Sequence, residues 1–394
     1  MVKSFIRFFT NPATIRAGRI TTRLAPVLLA VLIAAAPASA DYDTMKVMTR
    51  NLYLGADIFT VLEAANSNPA TIPIAVAEVF RTIHQTDFSA RAEAIADEIM
   101  RFKPHVIGLQ EVTQIRKQFP SDFFLGNPQD AEEEVIHFLD ILEAAIAARG
   151  LDYRVAVTQQ NADVELPMLV GITQEGQPVL QDVRLTDRDA ILVRGDIDVL
   201  ATTGKNYAPE NQKIFQIPVP GGGELPVSFN RGYVTAEVMF DNHRITAANT
   251  HLEVSVFAPE QAAQMQELLD DLSAETNPII LMGDFNSSPV DSLIDSIEPP
   301  VVPPYIQALD AGYIDAWLEQ NHGDEGFTCC FNETVDDANG RLYERIDHIF
   351  ISPQALMLGP TQTRTIGDLT ISMPPGGLWP SDHAGVIARV KFEE

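Results

Sequence analysis

The sequence predicts an α/β protein, and three observations carry that reading. From residue 45 onward, short apolar runs of strand length alternate with stretches of helical periodicity. Several of those runs stop at a carboxylate, a carboxamide or an imidazole. The only cysteines, Cys329 and Cys330, are adjacent, so a framework of several disulfides is excluded and the fold must rest on its core. With 46% hydrophobic residues in 394, the chain has material for a substantial one.

Residues 1–40 read as an export signal. Lys3, Arg7, Arg16, Arg19 and Arg23 precede the apolar stretch 24–37, and Ala38-Ser39-Ala40 supplies the small residues of a cleavage site. The apolar stretch is shorter than the roughly 20 residues a spanning helix needs, so no anchor is expected to survive cleavage. A secreted protein, extracellular or periplasmic, with one catalytic domain over 41–394 is the expectation.

Residues 45–54 read as the first strand. Residues 89–102 have helical periodicity with Ser89 as cap, and 105–110 form a short apolar strand running into Glu111. A second helix is expected over 131–149, because the acidic triplet 132–134 suits the positive end of a helix dipole. Further strands are expected at 188–194, 232–240 and 244–250, a helix at 259–273, and strands at 343–352 and 385–392. Pro/Gly clusters at 218–223, 299–304 and 374–380 mark loops or hairpin tips, none long enough to be a domain linker. Residues 214–227 suit an ordinary hairpin, with contact to a lipid surface as the other use of its apolar flanks. Residues 57–88 fit either a helical lid or a simple insertion.

Loss of the export segment removes five basic and no acidic residues from 27 and 54, leaving 22 against 54 and a net charge of −32. So acidic a chain excludes a basic nucleic-acid groove, and no stable nucleic-acid complex is expected unless cations intervene. The cysteine pair is open to three states in an oxidising compartment: a vicinal disulfide, two thiols or a bridge to another chain.

Chemistry concentrates at the strand ends. "GDFN" ends an apolar run in Asp284 and Asn286, which share a face of an extended chain while Phe285 packs on the other. Asn51, Glu111, Asn249 with His251, Asp347, and Asp382 with His383 end other runs, where an α/β sheet places its ligand crevice. Oxygen donors such as Asn51 and Glu111 suit a hard cation, Mg²⁺ or else Ca²⁺ or Mn²⁺, and no HExxH or Cys/His cluster suggests zinc. A carboxylate or histidine can deprotonate water while another histidine donates a proton. Neither GxSxG nor a P-loop is present.

The ordered set "RNLYLG", "IGLQEV", "NTHLE", "GDFNSSP", "RIDHIFIS" and "SDHAGV" resembles the endonuclease/exonuclease/phosphatase superfamily over residues 47–390. The likeness is to the branch with deoxyribonucleases and neutral sphingomyelinases. It implies a four-layer fold, two β-sheets packed as a sandwich and flanked by helices, with a metal site at one edge. It implies that Asn51 and Glu111 are metal-site residues, that Asp284 and Asn286 activate water and hold phosphate, that Asp347 orients a histidine, and that Asp382, His383 and His251 complete the catalytic set. Asn249 is expected to bind substrate. The implied activity is that of a secreted metal-dependent phosphodiesterase acting on a phospholipid of sphingomyelin type or on nucleic acid, and a monomer is expected. A phosphate monoesterase and an inert binding protein on the same fold are the alternatives.

His348 alternates with Asp347 and is expected in the core. His84, His105, His137, His243 and His322 have no partner pattern. Arg188 and Asp189 begin a strand and either reach the site or form a surface ion pair. A structural turn is expected at Cys329-Cys330.

Overall fold

The computed structural model describes residues 44–125, 128–218, 224–353, 359–373 and 377–392. The export segment and its cleavage site lie outside the described residues, as do the tips of the clusters at 219–223 and 374–376.

Strand β1 (Thr44–Asn51) is followed by a helical insert, α1 (Phe59–Ser67) and α2 (Ile72–Gln85), and then by α3 (Phe88–Phe102), which returns the chain to β2 (Val106–Gln110), parallel to β1. β3 (Gln114–Gln118), β4 (Glu133–His137) and α4 (Phe138–Ala148) lead to a long antiparallel hairpin, β5 (Tyr153–Ile172) and β6 (Pro178–Arg194). The second half opens with β7 (Asp198–Asn206) and a separate two-stranded hairpin, β8 (Ile214–Pro218) and β9 (Glu224–Ser228). β10 (Gly232–Phe240) and β11 (His243–His251) follow, then α5 (Ala258–Leu272) crosses to β12 (Ile279–Asp284), parallel to β11. α6 (Pro304–Asp310), β13 (Ile314–Asp315), β14 (Asp347–Ile351), β15 (Pro360–Ile366) and β16 (Gly385–Lys391) complete the described chain.

Two main sheets result. One runs β15-β16-β1-β2-β6-β3-β4 with β5 beside β6, and the other runs β13-β14-β12-β11-β10-β7. Period-two alternation sends Met45, Val47, Ile191, Val234, Ala247, Ile280 and Ile349 into the space between the sheets. Their alternates, Met48, Ile107 and Leu192 on one sheet and Ala248, Leu281 and Phe350 on the other, meet α3 and α4 outside the first sheet and α5 and α6 outside the second. Helix, sheet, sheet, helix is the four-layer arrangement the sequence implied. No helix among the described residues is long and apolar enough to cross a membrane.

Two expectations about elements need correction. The helix expected over 131–149 begins only at Phe138, because 133–137 form β4 against β3, with Ile136 opposite Ile115 and Lys117 bonded to Glu133 at 3.1 Å. β-branched Val135 and Ile136 pack in this pairing, which overrides the local acidic pattern. α3 is capped by Asp87, whose carboxylate accepts from Ala90 N, and not by Ser89. Residues 57–88 are the amphipathic α1–α2 pair, its apolar side resting on β5 and β8.

Candidate active site

Two parallel crossovers bring the carboxyl ends of β1, β2, β11 and β12 to one edge of the sandwich. Asn51 pairs in register with Gln110, His251 with Asp284, and Asp284 with Asp347 at the start of antiparallel β14. A cleft of about 360 Å³ opens there. Gly283 makes the closest approach in this edge possible: a Cβ on it would lie 2.0 Å from Thr250 O, and its φ is +150°.

Asn51 is the hub. Its Nδ2 donates to Glu111 Oε1 and to Asp284 Oδ2, both at 3.0 Å, while its Oδ1 accepts from Tyr53 N at 2.8 Å. Glu111, at φ +55°, accepts from Leu54 N at 2.6 Å through Oε2 and is half-exposed to the cleft. Asp284 Oδ1 accepts from Asn286 N at 3.0 Å. Burial first, and then the charge of Asp347, push the Asp284 carboxyl up to about 7.

The two histidines carry opposite charge states. His383 Nδ1 donates to Asp347 Oδ2 at 2.8 Å, with Asp284 Oδ2 3.8 Å away. Burial alone would lower its pKa, but Asp347, Asp382 and Asp284 together raise it well above the ordinary value, so the ring is an imidazolium at neutral pH. His251 is held well below the ordinary value by burial, Arg231 and His383. It is neutral, so its 3.6 Å approach to Asp284 is not an ion pair. Its Nε2 accepts from Asn286 Nδ2 at 3.2 Å, which also donates to Leu252 O. Asp382 lines the cleft, its carboxyl pushed up to about 6 by burial, with His383 opposing and Glu111 reinforcing the shift.

The structure thus brings together Asn51, Glu111, His251, Asp284, Asn286, Asp382 and His383, with Asp347 buried behind His383. Asn249 is a correction. It does not line the cleft: its Nδ2 donates to Leu109 O at 2.9 Å and Ala190 O at 3.2 Å, and its Oδ1 accepts from Gln110 Nε2, so its whole amide is spent tying the two sheets beneath the site. Gly108 leaves the room for it, since a Cβ there would lie 2.5 Å from Asn249 Oδ1.

Other residues meet neither expectation. Asp189 is fully buried and accepts from Asn161 Nδ2 at 2.8 Å, and Arg188 turns to the opposite face to reach Gln114 Oε1 at 2.9 Å. Asp187, on the Asp189 face, is the one that lines the cleft, its carboxyl pushed up to about 7 by burial and Glu111. Arg231 and Glu253 lie beside it, 3.4 Å apart. The period of two in "TDRDAILVR" placed Asp187 with Asp189, a signal that pairing neighbouring Arg188 and Asp189 passes over. Arg50 was also missed: fully buried, it bonds His383 O at 2.5 Å and Glu98 at 3.2 Å and so fixes the backbone of the imidazolium. Cys329 and Cys330 are disulfide-bonded and border the cleft, with Cys330 Sγ 3.9 Å from His383 Nε2.

A divalent cation fits the Glu111 end. Each carboxylate oxygen of Glu111 accepts one hydrogen bond and keeps a lone pair, and these are the hard oxygens that Mg²⁺, Ca²⁺ and Mn²⁺ take; Asn51 turns its Nδ2 towards Glu111 and so orients that carboxylate. Asp284, Asp347 and His383 also place donor atoms within 4.8 Å of one another, and His383 Nδ1 is engaged there by Asp347 Oδ2 at 2.8 Å.

Residues 83–383 match the model of the Endonuclease/Exonuclease/phosphatase family. No curated protein matches the chain. Among solved structures, the fold is similar to an endonuclease/exonuclease/phosphatase family protein from Leptotrichia buccalis at 15% identity, over 88% of this chain and 100% of that one, with a TM-score of 0.51. A mannosyl-6-phosphatase from Bacteroides thetaiotaomicron gives 15%, 88%, 100% and 0.50, and an endonuclease/exonuclease/phosphatase from Beutenbergia cavernae gives 19%, 89%, 72% and 0.51. At these identities the structural likeness establishes the fold, and the family match, over most of the sequence, establishes descent: the chain belongs to the endonuclease/exonuclease/phosphatase family, whose members hydrolyse phosphoester bonds.

Proposed function

We propose that this chain is an exported, divalent-cation-dependent phosphodiesterase. The observation that carries the reading is the meeting of Asp284, a carboxyl poised near neutral pH, with the His383 imidazolium held on Asp347. Asp284 in its ionised form takes a proton from water, and its two oxygens are oriented by Asn51 Nδ2 and Asn286 N. Water oxygen bonds to phosphorus as the ester oxygen departs. His383, backed by Asp347, places positive charge where negative charge grows on the phosphoryl oxygens. Glu111, oriented by Asn51 Nδ2, would hold the cation, which supplies neutralisation of the phosphate and of the leaving oxygen. His251 and Asn286 form the facing wall.

Charge favours a diester over a monoester. The cleft is lined by the carboxylates of Asp57, Glu111, Asp187, Glu253, Asp284, Glu333 and Asp382 against Arg231 and the His383 imidazolium. A singly charged diester meets less repulsion there than a doubly charged monoester, and the same field weakens association with nucleic acid. The test is hydrolysis of sphingomyelin, phosphatidylcholine, plasmid DNA, RNA and phosphate monoesters by the purified protein with and without Mg²⁺. Diester cleavage only with the cation is expected. Cleavage of monoesters alone would favour the monoesterase, and inertness towards all of them the binding protein.

A further inference from the structure

Beneath the helical insert, apolar hollows adjoin the cleft away from its catalytic carboxylates. Ile58, Leu62, Leu185 and Phe229 line the cleft on one side and, on the other, a narrow cavity of about 60 Å³ between α1, α2 and the strands β5, β6, β8 and β9. Every residue lining that cavity is a Val, Leu, Ile or Phe. Leu166 and Ile217 in turn line both that cavity and an outer hollow of about 330 Å³. Ile74 and Phe124, which line that hollow, are 46% and 48% exposed. Around the narrow cavity Val79, Phe80, Val164, Leu166 and Phe229 are only half-buried, although the helices and hairpins surround them, whereas the residues between the two main sheets are almost all below 5% exposure.

From these shared apolar walls we propose that the hollows open into one passage that binds a hydrocarbon chain of the substrate, with the phosphodiester at Asp284 and the chain running beneath α1–α2 towards the apolar outer hollow. The proposal rests on the phosphodiesterase reading and adds a binding site for the apolar part of the substrate, beneath α1–α2. A purely carbon-lined wall offers nothing to a sugar or a base, which carry hydrogen-bonding groups that would be buried without partners. A methylene moved from water into it gains at each step. The opposite, carboxylate-lined wall of the cleft leaves the polar end of such a molecule in a polar setting.

The experiment compares 4-nitrophenyl alkyl phosphates with methyl, butyl, octyl and dodecyl chains, below their aggregation concentrations, on wild type, Leu166→Trp and Val79→Phe. In the wild type kcat/KM should rise with chain length, by up to about fourfold per added methylene while the passage fills. In the variants, which narrow the passage from a strand and from a helix, the ratio of dodecyl to methyl kcat/KM should collapse. Titration calorimetry with dodecylphosphocholine gives a second readout that needs no turnover: heat of binding in the wild type, lost in a folded variant. Hydrolysis of the methyl diester with no chain-length dependence, or a gain that survives in both variants, would overturn the proposal while leaving the phosphodiesterase reading standing. Binding of dodecylphosphocholine without hydrolysis of any diester would sink that reading and leave the chain site standing.

Discussion

Glu111 illustrates how one side chain reports on the site's chemistry. Glu111→Gln keeps the shape and the contact with Asn51 but removes the charge, so cation affinity, read by calorimetry, and turnover should fall together. Full activity in chelator would contradict a metal role. His251→Ala and His383→Ala should each lower kcat by a factor on the order of 10² or more, and the double variant should lose less than the product of the two, because both rings face Asp284. His348 is the control. Its Nε2 meets Ser287 O at 2.8 Å and its Nδ1 meets Arg345 Nη1 at 3.1 Å in a packed setting of Phe285, Tyr305 and Phe350, so His348→Ala should cost about 1 to 3 kcal/mol of stability while the folded enzyme keeps its rate. At this scale the sequence was most legible where a polar residue ended an apolar run, as at Asp284. It was least legible where a polar residue does structural work in a buried layer, as Asn249 does between the two sheets and Arg50 between the first sheet and α3, because such burial leaves no local mark on residue type.

Elements whose hydrophobic period agreed with their long-range partners could be read almost to the residue. β10 runs over Gly232–Phe240 and α5 over Ala258–Leu272, where strand and helix were expected at 232–240 and 259–273. β4 defeated the reading because its strand character comes from pairing with β3, twenty residues away, and not from its own composition. The α1–α2 insert was visible only as an apolar stretch: what it covers depends on β5 and β8, which no local pattern names. The α3 cap offers a test confined to one element. Asp87→Ala removes the acceptor for Ala90 N at 3.3 Å and should lower unfolding free energy by about 1 kcal/mol, with kcat unchanged. A loss well above 2 kcal/mol would mean that Asp87 holds more than the helix end.

For the whole molecule, the buried imidazoles and the buried carboxyls respond to acid in opposite senses: Asp187 and Asp284, raised to about 7, and Asp382, raised to about 6, favour the folded state as pH falls, and the lowered imidazoles disfavour it. Burial, then Arg345, depresses His348 to about 4, and burial, then Arg194, does the same to His105. An unfolded chain takes up these protons first as pH falls, so the stability each ring contributes is complete above about 6.5 and is lost progressively towards pH 4. Denaturant unfolding of wild type and His348→Gln at pH 7 and pH 4.5 isolates the ring: the stability advantage of the wild type over the variant should be smaller at pH 4.5 than at pH 7, and an unchanged difference would contradict the assignment. Export has its own test: Edman sequencing of material recovered outside the cytoplasm should begin at Asp41, and an intact Met1 on membrane-bound protein would refute cleavage. The central claim is that Asp284 works on a phosphodiester at the edge where the two sheets meet. Its most direct test is the kcat of Asp284→Asn on bis(4-nitrophenyl) phosphate with Mg²⁺ present, alongside a melting curve to confirm the fold. A fall on the order of 10² or more in a folded variant is expected, and turnover near that of the wild type would contradict the claim.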